Sequence, residues 1–231
     1  MLLALGLAVV LSVVEFFSES IAHRIERFHR EIVSLNGGLM LGFLFLMVFP
    51  ELFKDPGDSG QKAFFFLLVG FTLFHLAEKY VYRHAHSMHE RQHELDLLHL
   101  VGVYSMGLIE GIALFLSIDL IGTPTGQLLF IHLLLNSVNA SLLMAHITRE
   151  ITQNRLWDAV LALGPLTGFA LALGLAANAP AARILFSFVA GCLLYVVVRD
   201  IIPDHEHGDT SLFIIGVFIS MLFSQMAGFL Y

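Results

Sequence analysis

The sequence has little cysteine and little charge. Cys192 is the single cysteine, which excludes an internal disulfide and a CxxC site, so we predict that it packs between helices. Charged residues make up 13% of the chain, and no block of basic residues suggests binding to nucleic acid. No apolar segment contains HxxxH or HExxH, which argues against an intramembrane metal hydrolase with three fixed protein ligands.

Apolar residues dominate instead. They form 57% of the chain, the mean hydropathy is +0.81, and several runs approach the roughly 20 residues that cross a bilayer. The first such run has no basic region before it, so we predict a helix rather than a signal peptide. We therefore expect an all-α polytopic membrane protein, a single transmembrane domain over residues 1–231. Its eight predicted helices cover residues 2–19, 33–53, 63–82, 97–120, 127–147, 156–177, 184–202 and 211–231.

The distribution of lysine and arginine predicts the orientation. Of the 12 basic residues, nine fall on one side of the eight-helix plan and three on the other. Because cytoplasmic loops carry the excess of positive charge, both termini are expected outside. The compact chain favours a bacterial inner membrane. Gly107 with Gly111, and Gly164 with Gly168, form GxxxG pairs that suit either packing within the bundle or a homodimer face.

Glu110 is the first candidate for function. It lies in the middle of a long apolar segment, where a charge costs on the order of 3 kcal/mol unless it faces a protein interior or a wet cavity. Its alternative role is a protonated carboxyl that donates a hydrogen bond to Asn136 or Ser105. Glu15 and Glu19, one turn apart in the first helix, could relay protons or metal, or pair with His23 or Arg24.

Histidine is abundant, with 12 residues beside 19 carboxylates, and this supply of ligands suggests metal. Residues 84–96 form a predicted His-rich cytoplasmic loop, which could bind metal weakly or could simply be soluble. His75 and Glu78 share a helix face and could form an exit step or an ordinary interfacial pair. The cytoplasmic metal-binding candidates are His75, Glu78, His84, His86, His89, His93, His99, Asp204, His205, Glu206 and His207.

Six short motifs in order resemble the ZIP family of divalent-metal transporters. The sequence MVFPEL ending at Leu52 is similar to the family's HLLPE, GLIEGIAL from Gly107 to its HNxPEGxAxG, and GPLTGFALA from Gly164 to its EPLGAxLG. GFTLFHLAEKY from Gly70, the His-rich segment after it and GCLLYVVVRDIIPDHEH from Gly191 extend the resemblance over nearly the whole chain. The resemblance implies eight helices with both termini outside.

The resemblance also implies a metal site midway across the membrane, between the fourth and fifth helices. The family's His and Asn positions fall on Met106 and Gly107, its carboxylate on Glu110, and a Glu position of the sixth helix on Gly164. The fifth helix admits two registers. One places Asn136 and Ser137 in liganding positions and Ala140 at a carboxylate position, and the other offers His132 with Asn136. The metal candidates are Glu110, Asn136, His132, Ser137 and Met106, with Ser105 beside them.

The function implied is a permease that moves a divalent cation into the cytoplasm, Zn²⁺ first and Fe²⁺ or Mn²⁺ as alternatives. The cation is a substrate, and no organic cofactor, enzymatic activity or nucleic-acid partner is expected; the lipid bilayer is the partner. The lost ligands support a second hypothesis, in which a ZIP-fold protein no longer transports and acts as a metal sensor or as a regulatory or structural subunit.

Overall fold

The computed structural model describes residues 1–54, 58–87, 92–147, 155–198 and 209–226, and within these ranges the chain is helical with no strand. Two π-helical turns, Leu44–Val48 and Ser117–Ile121, and a 3₁₀ turn, Glu26–Phe28, interrupt the series. The helices are α1 Leu2–Ile25, α2 His29–Phe43, α3 Phe49–Phe53, α4 Asp58–Ser87, α5 Gln92–Leu116, α6 Thr123–Ile147, α7 Arg155–Ala162, α8 Gly164–Ala176, α9 Ala179–Val196 and α10 Thr210–Met226.

The helices agree with the predicted membrane protein. Among the described residues, five segments are long and apolar enough to cross a bilayer, and two shorter apolar helices accompany them. Large apolar side chains such as Phe64 and Leu68 on α4, or Ile214 and Phe218 on α10, are more than half exposed. Such faces suit contact with lipid chains. The longer segments are Arg30–Phe53, Gly60–Ala77, Gly102–Ile121, Ala159–Ala176 and Ala179–Val196.

Helix ends follow local chemistry. Gly122 separates the second π-helical turn from α6 with φ of 142°, a conformation that L side chains rarely adopt. Asn178 caps α9 by accepting a hydrogen bond from the Ala181 backbone N–H at 3.2 Å. Both residues lie in gaps between predicted helices, at 121–126 and 178–183, so the breaks predicted there are present.

Two predicted spans contain interruptions that the apolar pattern did not indicate. The second span consists of α2, a π-helical turn and α3, with Pro50 in the first turn of α3. The sixth is divided into α7 and α8 at Leu163, just before Pro165. Proline has no backbone N–H and its ring clashes with the preceding turn, so helices break or restart there.

Parts of the predicted His-rich loop at 84–87 and 92–96 are helical. Helix α4 continues to Ser87 and α5 begins at Gln92, so both helices extend into the 84–96 segment. No glycine or proline lies in this segment, which leaves nothing in it to stop either helix.

Three helix pairs make the most extensive contacts: α2 with α10, α4 with α9, and α5 with α8, while α1 lies on α6. At the α5–α8 crossing, a Cβ on Gly111 would collide with the carbonyl oxygen of Pro165, and a Cβ on Gly168 with that of Leu108. The GxxxG pairs therefore serve packing within the chain, since small residues let helix backbones approach closely.

Candidate functional site

Glu110 and Asn136 form the centre of a buried polar site between α5 and α6. Glu110 is 1% exposed and Asn136 is 8% exposed. The Asn136 Nδ2 donates a hydrogen bond of 2.6 Å to Glu110 Oε1. The other carboxylate oxygen, Glu110 Oε2, is buried without a hydrogen-bond partner in the described part of the chain. One oxygen is thus positioned by the amide and the second remains available to a ligand.

Glu15 brings a second carboxylate to this site from α1. Its Oε1 lies 3.5 Å from the position that a Cβ on Gly107 would occupy, one helical turn before Glu110 on α5. The two carboxylates are close enough to interact electrostatically. In a low-dielectric interior such neighbours repel strongly unless a proton or a cation lies between them.

From the sequence, Glu15 is predicted only as a relay for protons or metal or as an ion-pairing residue of the first helix. Glu15 approaches Glu110 because α1 packs against α5 and α8. No sequence motif indicates this packing. The available signal was a single carboxylate in an apolar stretch, the same signal that identified Glu110. Glycine at position 107 matters because a larger residue there would meet both Pro165 and the Glu15 carboxylate.

His132 lies apart from the carboxylate pair. It is 1% exposed, and its ring contacts the backbone of Asn36 on α2. Its Nδ1 has no hydrogen-bond partner among the described residues. Within those residues, no three His, Cys, Asp or Glu side chains converge as a metal-binding group. The fold therefore joins Glu110 to Asn136, and places the imidazole one turn away along α6.

The remaining membrane candidates have simpler contacts. The Ser137 hydroxyl donates to the Leu133 carbonyl within its own helix at 3.1 Å. Met106 is partly buried and packs against the apolar core. Neither side chain is placed by these contacts as a ligand beside Glu110.

Two further residues, His75 and Cys192, form hydrogen bonds between α4 and α9. The His75 Nδ1 lies 3.0 Å from the Tyr195 hydroxyl, and the Cys192 thiol donates to the Gly70 carbonyl at 3.6 Å. Cys192 is buried, which confirms its predicted packing role. His75 is engaged with an aromatic neighbour rather than with a cluster of other described metal ligands.

Asp209 lies beside the second group of metal candidates predicted for the cytoplasmic side. The side chains of Glu78, His84, His86, His89, His93, His99, Asp204, His205, Glu206 and His207 lie outside the described residues. Asp209, which follows the last of them, has an ordinary role. Its Oδ1 accepts hydrogen bonds from the backbone N–H groups of Ser211 and Leu212, so it caps α10.

Comparisons with known proteins add no relative. No protein-family model matches the chain, and no curated protein matches it.

Proposed function

We propose that the chain is a membrane permease for a divalent metal cation, and that Glu15, Glu110 and Asn136 hold the cation during its passage. The observation that carries the proposal is the meeting of two carboxylates inside an apolar helical bundle, with one carboxylate oxygen of Glu110 unpartnered among the described residues. Ionisable residues within membrane helices mark ion pathways in many transporters. Placing such a group in the membrane costs free energy, so these residues are rare there except where they serve a function.

The donor chemistry suits a cation that must be released again. Carboxylate oxygens bind Mg²⁺, Mn²⁺ and, with other ligands, Zn²⁺ and Fe²⁺. Two carboxylates would neutralise a divalent charge, and the few protein donors leave water in the remaining coordination positions. The ZIP resemblance favours Zn²⁺ as the substrate and inward transport across a bacterial plasma membrane.

A second candidate function is a ZIP-like protein that binds metal without transporting it. One observation favours it: three His, Cys, Asp or Glu side chains do not converge anywhere in the ranges that the structure describes. Such a protein would use its histidine-rich segments as sensors. Uptake into proteoliposomes separates the two functions, because a sensor gives binding without flux.

Glu15 provides the sharpest test of the proposed site. We expect Glu15→Gln to raise the KM for cation uptake by about tenfold or more, because altering even the groups around a metal site costs about 10–100-fold in affinity. Initial rates of Zn²⁺, Fe²⁺ and Mn²⁺ uptake into proteoliposomes would measure this change.

The matched control is Glu51→Gln. Glu51 pairs with Lys54 at 2.5 Å and lies 4.0 Å from Arg183, within the α3 end of the second span. This variant loses a carboxylate of the same kind and should keep the wild-type KM. A wild-type KM in Glu15→Gln would show that Glu15 does not bind the cation.

A further inference from the structure

One face of α6 carries buried polar groups that lead towards the carboxylates. Thr125 is 0% exposed and His132 is 1% exposed. The Thr125 Oγ1 and the His132 Nδ1 both lack a hydrogen-bond partner among the described residues. Residues seven apart share a helix face, and Asn136 follows His132 by one further turn. The row therefore runs from the beginning of α6 to Glu110.

Neighbouring elements add polar groups of the same kind. Ser117, in the π-helical turn after α5, and Asn36 on α2 are both 0% exposed. The Ser117 hydroxyl and both polar atoms of the Asn36 amide have no partner in the described ranges. The π-helical turn packs against α6, since a Cβ on Gly126 would collide with the Ile118 side chain. The His132 ring touches the Asn36 backbone.

Polar atoms on these four buried side chains have no hydrogen-bond partner among the residues that the structure describes, which is difficult to reconcile with a dry helix interface. Small polar residues that only hold helices together do so by bonding to one another or to a neighbouring backbone. Ser220 is an example, because its hydroxyl donates to the Leu39 carbonyl at 2.8 Å. Groups without such partners are satisfied where water reaches them. π-helical turns also occur often at functional sites.

We propose that Thr125, Ser117, Asn36 and His132 line a water-accessible passage from the beginning of α6 to the carboxylates, and that His132 binds the divalent cation transiently on the way. The inference rests on the proposed function for its cargo. The His132 Nδ1 supplies a nitrogen donor, and the Asn36 amide oxygen can accept hydrogen bonds from water on the cation. Imidazole nitrogen suits Zn²⁺ better than Mn²⁺.

Cysteine labelling tests the passage without requiring transport. The chain has one cysteine, so Cys192→Ser gives a cysteine-free background for Thr125→Cys and for Ser117→Cys. Leu193→Cys is the matched control, because Leu193 is only 2% exposed and belongs to the apolar core on α9, away from the polar row on α6. The purified variants in nanodiscs, open to solvent on both faces, would be treated with a positively charged methanethiosulfonate reagent.

We expect Thr125→Cys and Ser117→Cys to react at least about tenfold faster than Leu193→Cys, because the reagent attacks a thiolate, which forms only where water is present. Equal, slow reaction at all three positions would overturn the passage. If Cys192→Ser fails to fold, the unsubstituted chain serves as the background, since its cysteine is buried.

The binding step is tested by the ratio of two fluxes in one preparation. We expect His132→Gln to lower Zn²⁺ uptake about tenfold relative to Mn²⁺ uptake, since the loss of imidazole affects Zn²⁺ more. Mn²⁺ uptake by the same variant controls for folding, and an unchanged ratio would exclude His132. Rapid labelling in a chain without cation flux would refute the permease function but support the passage. Cation flux with slow labelling would refute the passage but support the permease function.

Discussion

Replacing Glu110 by glutamine is expected to reduce divalent-cation uptake by at least about tenfold, the lower end of what disturbing a metal site costs in affinity. Glutamine keeps the carbonyl oxygen that accepts the 2.6 Å hydrogen bond from Asn136, so the helix interface should persist. The negative charge is lost, and the cation loses the oxygen that is unpartnered among the described residues. Initial uptake rates at matched insertion into liposomes measure the effect.

Asp119→Asn is the control for this variant. Asp119 lies in the π-helical turn after α5 and is exposed, so the same chemical change is made on the same span away from the site. We expect its uptake to stay close to that of the wild type. Wild-type uptake by Glu110→Gln would contradict the assignment of Glu110 as a cation ligand.

Replacing Gly111 by alanine should destabilise the bundle. The added Cβ would collide with the Pro165 carbonyl oxygen, and backbone cannot move aside as a flexible side chain can. Overpacking of this kind costs about 1–3 kcal/mol in free energy of unfolding. The thermal unfolding midpoint of the purified protein in detergent would fall, and uptake would fall with it because α5 also carries Glu110.

Gly174→Ala is the matched control for the helix crossing. Gly174 lies on α8, and a Cβ there meets no atom within 4 Å. Alanine also favours the helix over glycine by up to about 1 kcal/mol, so the midpoint should be unchanged or slightly higher. If both variants lower the midpoint equally, α5 and α8 do not cross closely at Gly111.

The fold class was predictable because its signals are local. Long apolar runs gave the helices, Gly122 and Asn178 gave two of the breaks, and the GxxxG pairs gave surfaces suited to close packing. The pairing of α5 with α8 was not predictable from the GxxxG motifs, because a surface of small residues permits close packing but does not determine which helix packs against it. The interruption at Leu163 was indicated by Pro165, but the apolar run across it concealed the break.

The candidate site was predictable in part. The depth of Glu110 in an apolar segment identified it as a candidate. Both registers of the fifth helix included Asn136, which donates a hydrogen bond to Glu110 in the structure. Composition could not tell which of His132 and Asn136 faces Glu110, because residues four apart share a helix face. Glu15 comes from a helix distant in the sequence, so only the assembled bundle brings it to the site.

Mn²⁺ binding measured by electron paramagnetic resonance shows directly whether the two interior carboxylates bind a divalent cation. The parent would carry glutamine at positions 75, 78, 84, 86, 89, 93, 99, 205, 206 and 207 and asparagine at 204, which removes every predicted cytoplasmic ligand. Its comparison is the same chain with Glu15→Gln and Glu110→Gln. We expect about one bound Mn²⁺ per chain in the parent, since carboxylates suit Mn²⁺, and none in the double variant. Equal binding by both chains would show that Glu15 and Glu110 do not form the cation site.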